Sequence, residues 1–297
     1  MIDILKLLRI HQWLKNFLIF FPFIISDKQL TLAISHKLLL GFFCFSLIAS
    51  SVYIFNDLLD LKYDRKHITK KNRPIASGAI SPRVGFFTAL SLISISLYLW
   101  TNLIVTGGGY KESNFLIFLI IYFLLGLFYS LIIKKIVILD IVTLAIFYLF
   151  RFLIGGDIVS INLSYWLIFF SLFFFFSLGT LKRFAEIFNK KNNKKKISGR
   201  AYYISDNIFL KILGISTSLI SVLILALYIN TEIIYELYKA PHWLIVNIFL
   251  YFVWVIYIWI KASRNEMNED IIKFIFKDIF SILILLFFLI FFILSKY

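Results

Sequence analysis

Long apolar stretches alternate with short polar ones along this chain. The apolar stretches run to about 20 residues, the length at which a helix crosses a hydrocarbon layer of about 30 Å. Nine such spans are predicted, at roughly 14–27, 37–58, 82–106, 114–133, 137–156, 163–182, 206–229, 241–262 and 271–295. None shows the apolar–polar alternation of a membrane strand, so the expected fold class is all-α and integral to a membrane. Residues 1–297 are expected to form one polytopic domain.

Composition agrees: 61% of residues are hydrophobic and the mean hydropathy is +0.91, which excludes a water-soluble domain of this size. The one cysteine, Cys44, excludes an internal disulfide or a multi-cysteine metal centre. Lys6, Arg9 and Lys15 precede the apolar run Phe17 to Ile25 in the manner of a secretion signal. No small-x-small cleavage pattern follows, so the run is read as a retained first helix.

The net charge of +15 first suggests nucleic acid, but its distribution points elsewhere. If the nine spans alternate in direction, 24 of the 31 Lys and Arg residues fall on the side where the chain starts. That asymmetry marks the cytoplasmic side and accounts for the charge without a nucleic-acid partner. The expected location is the cytoplasmic membrane of a prokaryote. Two large polar loops, 59–81 and 183–205, lie on this side after the second and sixth spans, a hint of internal duplication. Gly107-Gly108-Gly109 lacks the Lys-Ser/Thr of a phosphate-binding loop and reads as a plain turn.

The densest chemistry is the run Asn56-Asp57-Leu58-Leu59-Asp60-Leu61-Lys62-Tyr63-Asp64 at the end of the second span. On a helix, Asp57, Asp60 and Asp64 share one face. Clustered carboxylates repel one another unless a cation lies among them, and Mg2+ suits an all-oxygen set that includes substrate phosphates. Asn56, Asp57, Asp60 and Asp64 are therefore the candidate metal ligands. The chain continues as Arg65-Lys66-His67 and then Lys71, Arg73-Pro74-Ile75-Ala76-Ser77-Gly78, which places cations where phosphate oxygens need neutralising.

A second motif, Gly179-Thr180-Leu181-Lys182-Arg183-Phe184-Ala185-Glu186, ends the sixth span. Lys182 and Glu186 form an i,i+4 pair on a helix. Before the first span, Trp13 reads as an interfacial anchor, and Lys15 and Asn16 are placed to meet a headgroup or a substrate phosphate. Arg151 lies deep in the fifth span, about 17 Å beyond Asp140 by helix rise. Its expected account is a structural partner such as Asp157, or snorkelling to the far interface. Asp140, near Lys134 and Lys135, is the better site candidate.

The Asn-Asp-x-x-Asp-x-x-x-Asp run after the second span resembles the first aspartate motif of the UbiA prenyltransferase superfamily. The resemblance implies a UbiA-type bundle with a cytosolic-side active-site cavity, magnesium and a diphosphate substrate. Prenyl-transferring members carry a second aspartate-rich motif after the sixth span, whereas residues 171–205 here contain no aspartate. Gln12-Trp13-Leu14-Lys15-Asn16, Asp64-Arg65-Lys66-His67, Arg73 to Gly78 and Lys182 to Glu186 are instead similar to the decaprenyl-phosphate phosphoribosyltransferase-like subgroup. Tyr129-Ser130 with Lys134, and Leu139-Asp140, are also similar to it. Ile68 and Thr180-Leu181 depart from its pattern.

The resemblance implies transfer of 5-phosphoribosyl from phosphoribosyl pyrophosphate to a polyprenyl phosphate among membrane lipids, with release of diphosphate. Asp57, Asp60, Asp64 and Lys182 would be the catalytic residues. Substrate contacts would come from Lys15, Asn16, Asn56, Arg65, Lys71, Arg73, Tyr129, Lys134, Asp140, Arg183 and Glu186. The lysine–arginine pair is expected to face the acidic cluster across one cavity. A prenyltransferase acting on an aromatic or quinone precursor is the alternative, and a lipid or ion carrier that works without magnesium is the second rival.

Overall fold

The structure, a computed structural model, describes residues 2–67, 69–106, 114–188, 201–267 and 271–297. Gly107 to Gly109, Ile68 and residues 189–200 of the second polar loop lie outside them. Every regular element among the described residues is helical, as the apolar pattern requires. Eight helices are long and apolar enough to cross a membrane, and they match eight of the nine expected spans. The protein is integral to the membrane.

The first expected span is not among the eight. It appears as a 3-10 helix, Ile10–Phe20, followed by α2, Phe21–Ile25. A 3-10 helix rises about 2.0 Å per residue against about 1.5 Å for an α-helix, so this short pair extends about 30 Å.

The packing divides into two compact units, residues 1–136 with 147–163, and residues 137–146 with 164–297. In the first unit, α1 (Ile2–Leu8) ends at Arg9, whose left-handed backbone (φ 51°, ψ 46°) turns the chain into the 3-10 helix. The central element is α3 (Leu32–Leu59), capped by the Thr31 hydroxyl, which accepts the Ile34 N–H at 3.2 Å. Its buried side carries Phe45, Ile48 and Ile54 together with Ser46, Ser50 and Asp57, while Leu39 and Phe43 stay on an outer face. The single-turn α4 (Leu61–Asp64) follows, then α5 (Pro82–Thr106), α6 (Phe115–Leu131) and the later turns of α7 (Leu139–Ile158). Leu7, Ile54, Ile75, Ala89 and Leu92 form one core of this unit, so the polar loop 59–81 is tied down by Ile75 rather than splayed into water.

The second unit contains the first turns of α7, then α8 (Tyr165–Phe188), α9 (Asn207–Ile229), α10 (Glu232–Leu237), α11 (His242–Ser263), α12 (Ile271–Ile275) and α13 (Ile279–Lys296). Its core joins Leu181 and Phe184 of α8 to Tyr251, Val255, Ile258 and Trp259 of α11. Gly214 of α9 makes this possible. A Cβ there would lie 2.1 Å from the Trp259 indole, which fills the space a side chain would take. Exposed Phe87, Tyr98, Phe249 and Leu286 give both units apolar outer faces, the expected surface where the solvent is lipid.

Candidate functional site

The three aspartates of the first motif do not ride one uninterrupted helix. Asp57 closes the last turn of α3, Asp60 caps that helix, and Asp64 ends α4. Asp57 and Asp64 are each 3% exposed. Charge at such burial needs a partner, and every carboxylate of the motif has one. Arg73 Nη1 lies 2.9 Å from Asp57 Oδ1 and 2.6 Å from Asp64 Oδ2, so one cationic nitrogen bridges both. Arg9 Nη2 adds a second contact to Asp57 Oδ1 at 2.5 Å, with its guanidinium over the Tyr53 ring. Asp60 pairs separately with Lys134 Nζ at 2.5 Å. Burial pushes the Asp64 carboxyl above the usual carboxylate range, and Arg73 pulls the other way.

Around this cluster, Asn56 is half-buried, while Arg65 and Lys71 are exposed on the polar loop. Lys15 and Tyr129 are half-buried, and the Tyr129 ring packs edge-on against Phe147. Asn16 lies elsewhere than expected. It is 1% exposed; its Nδ2 donates to Ser46 Oγ at 2.8 Å and its Oδ1 accepts from Arg151 Nε at 2.9 Å. Arg151 thus takes an amide rather than Asp157, whose Oδ1 accepts the Asn114 backbone N–H at 3.0 Å. A carboxylate at the end of α7 is too far along the helix to serve a residue six positions earlier, whereas the first helix passes directly beside Arg151.

In the second unit, Arg183 is fully buried. Its Nε donates to Asp140 Oδ2 and its Nη1 to Glu186 Oε2, each at 2.6 Å. The Tyr202 hydroxyl donates to Asp140 Oδ1 at 2.6 Å and accepts the Ile138 N–H at 2.9 Å. Burial first, and then the hydrogen bond to Asp140, hold the Tyr202 phenol above its ordinary pKa. Asp140, expected to touch substrate, therefore ties the end of α8 to the far end of the second polar loop. Lys182, beside Arg183, is half-buried. Two participants were not among the expected site residues: Arg9, which opens the motif before the first span and which a left-handed turn swings back onto Asp57, and Tyr202, one of sixteen tyrosines in the chain.

The arrangement of Asp57, Asp60 and Asp64 beside basic groups invites comparison with known proteins. A model of the UbiA prenyltransferase family matches residues 20–282. The chain belongs to the UbiA prenyltransferase family. It is 34% identical over 278 residues to uncharacterized protein y4nM of Sinorhizobium fredii, covering 93% of this chain but spanning only 52% of that relative's length. Nodulation protein NoeC of Azorhizobium caulinodans is 28% identical over 88% of this chain and 83% of its own. Decaprenyl-phosphate phosphoribosyltransferase of Mycobacterium tuberculosis is 29% identical over 188 residues, 62% of this chain and 60% of that protein. Among solved structures, a UbiA homolog from Archaeoglobus fulgidus bound to DMAPP and Mg2+ superposes with a TM-score of 0.68 at 20% identity, covering 97% of this chain and 98% of that one.

The magnesium of that homolog sets a question for this UbiA member. Among the described residues no three acidic, histidine or cysteine side chains close on a common point. The donor chemistry nevertheless suits a hard divalent ion: the motif offers carboxylate and amide oxygens, and the shared Arg73 nitrogen marks where two carboxylates already converge on a cation.

Proposed function

We propose that this UbiA-family protein is a phosphoribosyltransferase that moves 5-phosphoribosyl from phosphoribosyl pyrophosphate to a polyprenyl phosphate. The observation that carries this reading is the second motif. Where a prenyltransferase would place further aspartates, this chain has Lys182-Arg183-Phe184-Ala185-Glu186. One acidic motif suits one metal-held diphosphate, and a lysine suits a second, singly phosphorylated substrate. The similarity to decaprenyl-phosphate phosphoribosyltransferase supports the same reading.

Asp57, Asp60 and Asp64, with Asn56, would hold magnesium, whose charge would favour departure of the diphosphate. Arg9, Arg73 and Lys134 already carry charge into the aspartate cluster, and Arg65 and Lys71 extend it along the exposed loop. Lys182 would bind the acceptor phosphate, and Arg183, enclosed by Asp140 and Glu186, would fix the end of α8 beneath it. The reacting oxygen belongs to a phosphate already ionised near neutral pH, so no side chain need remove a proton. That oxygen bonds to the anomeric carbon as the bond from that carbon to diphosphate breaks. The residues contribute by binding and orienting each anion. The excess of Lys and Arg on one side of the spans supports a cytoplasmic orientation of the aspartate motif.

The family's name favours a second reading, transfer of a prenyl group from its diphosphate to an aromatic or quinone precursor. Membranes containing the protein are supplied with labelled phosphoribosyl pyrophosphate and polyprenyl phosphate, or with labelled prenyl diphosphate and 4-hydroxybenzoate. Product from the first pair, lost in Asp60→Asn and on chelation of divalent ions, is the expected result. Product from the second pair alone overturns the proposal, product that survives chelation overturns the role given to magnesium, and no product from either pair would indicate a carrier.

A further inference from the structure

Arg151 is the buried cation of the first unit that the aspartate chemistry leaves unexplained. It is 3% exposed in the interior of α7, and none of the ion pairs among the described residues includes it. Its partners are neutral. Nε donates to Asn16 Oδ1 at 2.9 Å, Nη1 donates to the Phe147 carbonyl, and the guanidinium lies over the rings of Phe45 and Tyr148, each 5.2 Å away. Keeping a charge in a membrane interior on such partners is costly, so a role for it is the default reading.

The partners show where that role leads. Asn16 passes the contact to Ser46 of α3. One turn further along the same face, Ser50 accepts from Trp13 Nε1 at 3.0 Å and donates to the Leu8 carbonyl at 2.7 Å. Tyr53 then lies beneath Arg9, and Asp57 takes its guanidinium. Positions 46, 50, 53 and 57 form one stripe of α3, answered in reverse order by residues 16, 13 and 9. The stripe runs about 16 Å, from Arg151 to the aspartate cluster. Gly155, one turn beyond Arg151, completes the fit: a Cβ there would lie 2.1 Å from the Ile19 carbonyl oxygen.

We propose that Arg151 is a positioning residue for the aspartate site: through Asn16 it sets the register of the 3-10 helix on α3, and that register places Arg9 on Asp57. Its relevance to turnover rests on the function proposed above, and the register itself does not. Arg9 depends on such help because its backbone is left-handed, a conformation that a non-glycine residue keeps only when its surroundings impose it.

The test uses the full chain in nanodiscs with Cys44→Ala and paired spin labels. Labels at Ile10→Cys and Tyr63→Cys, 39% and 57% exposed in the native protein, report the register. Labels at Leu39→Cys and Leu97→Cys, 50% and 40% exposed, report the α3–α5 packing. In Arg151→Met, the first distance distribution should broaden or shift while the second holds. The affinity for Mn2+ with inorganic diphosphate, read by its spectrum, should fall about tenfold, as when a group supporting a metal ligand is removed. Asn16→Ala, a milder change, should do the same, and the double variant should be no worse than either single one. An unchanged Ile10–Tyr63 distribution in either folded variant, or additive effects, overturns the proposal. Broadening in a protein whose parent never binds Mn2+ and diphosphate supports the register and overturns the function reading instead.

Discussion

Replacing Tyr202 by phenylalanine removes one oxygen and keeps the ring in its buried seat. Two groups then lose their partner: Asp140 Oδ1, which accepted the hydroxyl at 2.6 Å, and the Ile138 N–H, which donated to it at 2.9 Å. A hydrogen bond to a charged group contributes about 1.5–3 kcal/mol, and a buried N–H left unpaired costs about 1–3 kcal/mol. Ile138 offsets part of this. Its φ of 67° is left-handed, an outlier for a β-branched residue that stores about 1–3 kcal/mol, and losing the bond that helps to hold it lets some of that strain relax. Side-chain hydrogen bonds among membrane helices average only about 0.6 kcal/mol. Tyr202 lies in the polar loop and serves a carboxylate, so the larger scale governs, and a loss of about 2–5 kcal/mol is expected. Equilibrium unfolding in mixed micelles would measure it, beside Asp140→Asn and the double variant. Because both changes break one network, their effects should overlap by about 1 kcal/mol or more. A Tyr202→Phe loss below about 0.5 kcal/mol, or strict additivity with Asp140→Asn, refutes the reasoning.

Gly155→Ala places a methyl against backbone that cannot rotate away, so it should destabilise by about 1–3 kcal/mol, read by the same unfolding assay. Arg73→Gln removes the nitrogen that bridges Asp57 and Asp64, so Mn2+ without diphosphate should bind more tightly than to the native protein, which titration followed by electron paramagnetic resonance would show. Asp64 has a raised pKa, so its contribution to stability is present below the ordinary carboxylate value of 3.8 and is lost as pH rises through the higher folded value. The stability of Asp64→Asn relative to the native protein should therefore improve with rising pH across that window, measured as thermal midpoints without ligand.

Much of this was legible in the chain because its causes are local. A run of about 20 apolar residues has one low-energy option in lipid, so α3, α5 to α9, α11 and α13 follow from composition alone. The acidic motif is likewise compact in sequence and needs no fold to be seen. The first span was harder: a 3-10 helix and a five-residue α-helix stand where one long α-helix was expected, and this pair is not among the eight helices long and apolar enough to cross. Of the three aspartates expected on one face, Asp57 and Asp64 share Arg73, while Asp60, where α3 ends, pairs with Lys134.

By itself, the sequence determined the solvent, the helical class, the family and the presence of an acidic motif beside basic ones, because burial in lipid and charge repulsion act on residues near one another in the chain. Tertiary structure alone decided which charge answers which. Arg9 reaches Asp57 across 48 positions, Arg183 reaches Asp140 across 43, and Arg151 takes Asn16 across 135. Ion pairs form between any opposite charges that packing brings within reach, so composition names the candidates and the fold chooses among them.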